Sequence, residues 1–196
     1  MSLVRTFIGV HLKDSVMERI EGLIAELCHK PGGQAARWVP AHNIHLTVKF
    51  LGDVESDALP AISDAVAGAV GNIQPVAVEV AGLGCFPNTR RPRIVWAGLR
   101  GELNTLNAMQ QAIEDALEPL GHQRDKRPFS PHLTIGRVNR RATPRETAAL
   151  GRTIADYGPI SLGSMQVTSV SVIRSELKPE GPVYTDLTVA PLGAAP

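Results

Sequence analysis

His45-Leu46-Thr47-Val48-Lys49-Phe50 (HLTVKF) returns in outline as His132-Leu133-Thr134-Ile135-Gly136-Arg137 (HLTIGR), about half a chain later in a sequence of 196 residues. Both stretches read as the opening of a β-strand. Strand side chains alternate faces, so His and Thr of each triplet point one way and Leu points the other. Each leucine is expected to enter the core, leaving an imidazole and a hydroxyl side by side on an open surface. A lone strand histidine is ordinarily half-buried and hydrogen-bonded for structural reasons. Two identical His-x-Thr units this far apart instead suggest that two parts of the protein each bring one histidine and one threonine to a shared place.

That set of groups suits single-step hydrolysis of a phosphodiester. One base must take a proton from water and one acid must protonate the departing oxygen. Histidine titrates near neutrality and fills either role. Threonine hydroxyls, with an arginine nearby, donate to the non-bridging oxygens as charge builds there. Metal binding is the other reading of paired histidines. It fits poorly, because no carboxylate or cysteine stands at ligand spacing beside either motif. On a continued strand His42 would also point away from His45. No metal and no cofactor are therefore expected. His11, His29 and His122 read as surface residues, Cys28 as helix packing and Cys85 as a thiol without a motif.

Composition narrows the partner. Hydrophobic residues make up 43% of the chain and charged residues 20%, with aromatics at 4%. That is an ordinary soluble composition, poor in stacking platforms for long single strands. The net charge of +1 is unevenly spread. Residues 85–100 carry four arginines (Arg90, Arg91, Arg93, Arg100) and no acid, and residues 123–145 carry seven basic residues against Asp125 alone. A near-neutral protein with a basic region points to an anionic ligand rather than bulk nucleic-acid binding. No signal peptide and no membrane-length apolar run are read, so a cytoplasmic location is expected.

Periodicity places strands over Leu3–Leu12, Ile44–Leu51, Val76–Leu83, Arg93–Leu99, His132–Val138, Met165–Ser175 and Val183–Val189. Gly52-Asp53 reads as a turn. Helices are expected over Asp14–Cys28, Asp57–Val70, Glu102–Leu120 and from Thr143 to about Ala155. Asp14 or Ser15 is the expected cap of the first, and Thr143-Pro144-Arg145-Glu146 has the form of a capping box. Lys178 to Pro182 reads as a turn, and the tail from Leu192 as frayed. This order is an α+β pattern, with helices, strands and one HLT in each half.

These residues resemble the two-histidine (2H) phosphoesterase superfamily, defined by two H-x-[ST]-x motifs, and within it the RNA 2′,3′-cyclic phosphodiesterase or 2′-5′ RNA ligase branch. The likeness spans nearly the whole chain. It includes Arg5 to Val10, Trp38-Val39, Asn43 to Gly52, Gly82-Leu83-Gly84 and Phe86-Pro87. It continues through Arg91-Pro92-Arg93 with Trp96, Arg127 to Thr134 with Arg137, Arg174 to Leu177, and Gly181 to Tyr184. Gly136 reads as a small residue where bulkier ones would be acceptable.

The resemblance implies a single bilobal domain over 1–196. Its two pseudo-symmetric lobes would each be a curved antiparallel sheet with outer helices, around a central V-shaped cleft holding both motifs. It implies metal-independent hydrolysis of RNA 2′,3′-cyclic phosphate ends to 2′-phosphates, with reversible 2′-5′ ligation as a side activity. His132 would be the general base and His45 the general acid, an assignment that only the likeness decides. Thr47 and Thr134 would hold phosphoryl oxygens. Arg137 would contact phosphate or base, although on a regular strand it faces away and needs a bulge at Gly136 to reach the cleft. Phe7, Phe50 and Phe129 are candidate stacking faces, with core packing expected for at least two. Arg90, Arg91 and Arg93 would steer the RNA. RNA with 2′,3′-cyclic phosphate ends or small cyclic nucleotides is the expected partner of a monomer. The alternatives are another 2′-linked nucleotide, such as 2′-5′ oligoadenylate or ADP-ribose cyclic phosphate, and a non-catalytic RNA-end binder.

Overall fold

The computed structural model describes residues 2–179 and 181–193. Nine strands run in chain order as β1 (Leu3–His11), β2 (Ala36–Trp38), β3 (His45–Glu55), β4 (Val76–Phe86), β5 (Ile94–Gly101), β6 (His132–Val138), β7 (Ser161–Val167), β8 (Ser169–Lys178) and β9 (Gly181–Pro191). The helices are α1 (Asp14–His29), α2 (Leu59–Val70), α3 (Leu103–Leu117) and α4 (Pro144–Ala155). The α1 helix buries Val16, Ile20, Leu23 and Leu27 along one stripe, and it starts from Lys13 without a side-chain cap. The α4 capping box forms as its sequence predicts: the Thr143 hydroxyl accepts from the Glu146 amide, and the Glu146 carboxylate accepts from the Thr143 amide.

All pairings are antiparallel, in the order β7-β4-β5-β6-β3-β1-β8-β9, with β2 added beside β6. The fold is α+β, a strongly curled half-barrel sheet with four helices outside. It divides into two four-stranded arms, β3-β1-β8-β9 and β6-β5-β4-β7, each with its motif strand innermost. The arms meet at one cross-strand pair, Leu46 with Leu133.

The lobes are not the two halves of the chain. One arm takes β1 and β3 from the N-terminal part and β8 and β9 from the C-terminal part, while the other is continuous from β4 to β7. The stretch read as one strand over Met165–Ser175 is therefore two. It breaks at Thr168, and β7 and β8 lie in different arms. Met165 and Val167 are buried before the break and Val170 and Val172 after it, so the apolar alternation changes phase at Thr168-Ser169, which one continuous strand does not accommodate. Gly52-Asp53 is not a turn: Gly52 takes φ +76° and pairs with Thr6, so β3 continues to Glu55. The tail is not frayed at its start, because Leu192 is buried and its amide donates to Thr168 O at 2.8 Å. Glu180, within the stretch Lys178 to Pro182 read from sequence as a turn, and residues 194–196 lie outside the described residues.

Candidate active site

The seam between the arms is built from the motif leucines, which are buried at 1% and 0% exposure. Extending their antiparallel register by one residue sets His45 opposite Thr134 and Thr47 opposite His132. Each imidazole thus faces the other motif's hydroxyl across the seam. Both rings are held alike. His45 Nδ1 donates to Asn43 O at 3.1 Å and His132 Nδ1 donates to Ser130 O at 2.7 Å, the carbonyl two residues back in each case. A carbonyl can only accept, so the hydrogen sits on Nδ1 in both neutral rings. Nε2 is left to give or take a proton.

The two strands also share an irregularity. In the β1–β3 ladder, pairing passes from Gly9 with Thr47 to Ile8 with Lys49, leaving Val48 as an extra residue. In the β5–β6 ladder it passes from Trp96 with Thr134 to Val95 with Gly136, leaving Ile135 extra. A β-bulge resets the alternation of faces. Both residues after each Thr are buried, and the fifth residue after each His, Phe50 or Arg137, returns to the open side. This is the bulge that Arg137 requires. Gly136 has a further role: a Cβ there would fall 2.9 Å from the Trp38 ring, whose Nε1 is fixed on Gly33 O. Bulkier residues at Gly136 are therefore excluded, contrary to the sequence reading.

The surroundings of the histidines differ. Phe7 stacks on His45 with ring centres 4.5 Å apart, and Tyr184 meets it edge-on at 5.1 Å. Burial pushes the His45 pKa down to about 4, against its bond to Asn43 O; the charges of His11 and Arg137 push in the same direction as burial. His132 meets Phe86 edge-on at 4.9 Å. Burial raises the pKa of Tyr184, opposed by Arg137 and Arg5, so both guanidiniums act on this end of the cleft. His11 pairs with His45 across β1 and β3, and its Nε2 lies 2.8 Å from Asp186 Oδ1. His42 sits in a 3-10 turn (Ala41–Asn43) rather than on a strand. With His11, His45 and Tyr184 it lines a 230 Å³ cavity.

Beneath the motifs, Lys49 Nζ donates to Glu114 Oε2 at 2.6 Å and to Gln123 O at 2.8 Å. Gln110 Nε2 donates to the other Glu114 oxygen at 2.9 Å. Lys49 and Glu114 are 2% and 3% exposed. This buried network ties the first motif strand to α3 and to the loop that leads into the second motif.

The model of the 2′-5′ RNA ligase superfamily matches residues 12–179. The chain belongs to that superfamily. It is 34% identical over 186 residues to the RNA 2′,3′-cyclic phosphodiesterase of Methanothermobacter thermautotrophicus, covering 95% of this chain and 97% of that one. Identity to the protein of that name from Archaeoglobus fulgidus is 33%, covering 95% and 99%. Among solved structures, TT0787 of Thermus thermophilus superposes with a TM-score of 0.79 at 27% identity, covering 96% and 98%. E. coli LigT complexed with 3′-AMP gives 0.76 at 26% identity, covering 97% and 98%.

For this member of the superfamily, His45, Thr47, His132 and Thr134 come together at the seam, and Arg137 joins them. Phe129 packs against the core, Phe7 is buried on the cleft face between His45, Phe50 and Tyr184, and Phe50 is 63% exposed at the position equivalent to Arg137. Arg90 and Arg91 lie in the loop after Phe86-Pro87, where both amides donate to Asn88 Oδ1. Sequence reasoning missed Arg5, Tyr184 and His11. A signal for His11 existed, since it stands on the face of β1 shared by Phe7. Cys85 is buried with its pKa raised to about 11, so it remains a protonated thiol. Among the described residues no three His, Cys, Asp or Glu side chains converge as metal ligands, and no helix is long and apolar enough to cross a membrane.

Proposed function

We propose that this protein hydrolyses RNA 2′,3′-cyclic phosphate termini to 2′-phosphomonoesters by metal-independent acid–base catalysis between His45 and His132. The observation that carries the reading is the seam. Two imidazoles with fixed tautomers and free Nε2 atoms alternate with two hydroxyls across it. The names of the relatives supply the substrate class.

His132 takes a proton from water as the water oxygen bonds to phosphorus. The P–O3′ bond breaks in line, and His45 delivers a proton to O3′. Thr47, Thr134 and Arg137 donate to the non-bridging oxygens as negative charge accumulates. Burial keeps His45 neutral near pH 7. A phosphoryl anion beside it supplies the charge that favours the imidazolium, so His45 gains its proton together with the substrate. Replacing water by an RNA 5′-hydroxyl at the same step gives a 2′-5′ linkage, which is the ligation side activity. Arg90, Arg91 and Arg93 draw RNA to the cleft by long-range attraction. A cytoplasmic monomer belongs to the same proposal.

A panel of nucleoside 2′,3′-cyclic phosphates, cyclic-phosphate-ended RNA, 2′-5′ oligoadenylate and ADP-ribose cyclic phosphate tests it. Turnover of the first two, with 31P NMR identifying 2′-phosphate products, is expected. Exclusive turnover of either other substrate contradicts the assignment.

A further inference from the structure

A broad concavity lies beside the histidines rather than on them. It is a groove of 810 Å³ lined by His11, Lys13, Glu79, Ser164, Gln166 and Ser169, among others. His11 also lines the 230 Å³ cavity that holds His45, so the two cavities adjoin at His11. Its walls come from both arms: the end of β1 on one side, and β4 and β7 on the other.

We infer that this groove is the subsite for the nucleotide immediately 5′ to the cyclic phosphate, so that the RNA strand leaves the active site along it. The inference rests on the proposed RNA-end activity and names where the polymer runs. A 3′-terminal cyclic phosphate leaves only the 5′ side of the chain to continue, so the strand needs one exit. The 230 Å³ cavity is too small for a nucleotide, whereas 810 Å³ lies within the range of small-molecule sites.

The chemistry of the walls fits RNA. Lys13 is exposed at the mouth, and no carboxylate among the described residues pairs with it, leaving its ammonium free for an internucleotide phosphate. Ser164, Gln166 and Ser169 offer donors and acceptors to a ribose 2′-hydroxyl and to base edges. The one acid of the wall, Glu79, already accepts from the Ser161 hydroxyl and stands opposite Arg100 in the β4–β5 ladder.

The test compares kcat/KM for cytidine 2′,3′-cyclic phosphate with that for a dinucleotide ending in the same cytidine cyclic phosphate. Wild type is expected to prefer the dinucleotide. Lys13→Ala removes one charge-assisted contact and is expected to cut the dinucleotide value about tenfold, leaving the mononucleotide unchanged. Ser164→Trp fills the groove and is expected to abolish the preference, and its retained mononucleotide turnover reports a folded enzyme. Equal turnover of both substrates by wild type overturns the inference. So does a preference that survives Lys13→Ala and Ser164→Trp together. In both cases the cyclic phosphodiesterase reading stands. Turnover of neither substrate by wild type overturns that reading, and the subsite with it.

Discussion

Leu46 of the first motif and Leu133 of the second are cross-strand partners, and theirs is the pair that joins β3 to β6. The residue between each motif histidine and its threonine thus sets the spacing of the two motifs. Both side chains are fully buried on the face opposite the cleft. Leu133→Ala is expected to cost about 2–5 kcal/mol in denaturant unfolding, the usual range for a buried Leu→Ala change. Turnover should fall more than substrate affinity, because on the proposed mechanism the deletion loosens the relation between acid and base rather than removing a contact to the RNA. Unchanged kcat in a folded Leu133→Ala protein would show that the seam does not set the geometry.

Folding lowers the His45 pKa from the ordinary 6.5 to about 4. Between those values the unfolded chain binds a proton that the folded chain refuses, so stability rises with pH across this window and falls on acidification. The loss from this group reaches about 3 kcal/mol below pH 4. His45→Gln is expected to flatten the stability profile between pH 4 and 6.5, as measured by urea midpoints. In the wild type, adding a nucleoside 2′-phosphate should move the His45 titration seen by NMR to higher pH. A titration that the anion leaves in place would remove His45 from the acid role.

Lys49 and Glu114 form a buried ion pair under the first motif. Lys49→Met leaves a carboxylate buried without its cation and is expected to destabilise by about 3–5 kcal/mol. Combining it with Glu114→Leu should recover much of that loss, since the uncompensated charge is then gone. Equal destabilisation by the single and double variants would mean that the polar network, rather than the lone charge, carries the stability.

Arg91 is exposed in the loop after Phe86-Pro87. If it attracts RNA at long range, Arg91→Ala lowers kcat/KM for oligomers at low salt and has little effect on a mononucleotide. The difference should shrink towards 0.15 M salt, where the Debye length is about 8 Å. Equal loss on both substrates would place Arg91 inside the site instead.

The motifs were legible because strand alternation is a local property. The faces of His45, Thr47, His132 and Thr134 follow from period two alone, and Leu46 and Leu133 are buried as that period requires. Arg137 was not legible from alternation, because the extra residue Ile135 shows itself only in the ladder with β5. The crossing at Thr168 leaves a local trace, the phase shift from Met165 and Val167 to Val170 and Val172, but which arm each strand joins depends on the neighbours they pair with. Tyr184 reaches His45 from β9, a relationship between distant segments that no local pattern encodes, whereas alternation along β1 already sets His11 on the face of Phe7.

The most direct measurement is hydrolysis of a 2′,3′-cyclic-phosphate-ended oligoribonucleotide in excess chelator, comparing wild type with His45→Ala and His132→Ala. The account predicts chelator-resistant formation of a 2′-phosphate by wild type and loss of that activity in both variants. Full activity in either variant, or dependence on added metal, would contradict a single active site divided between the two motifs.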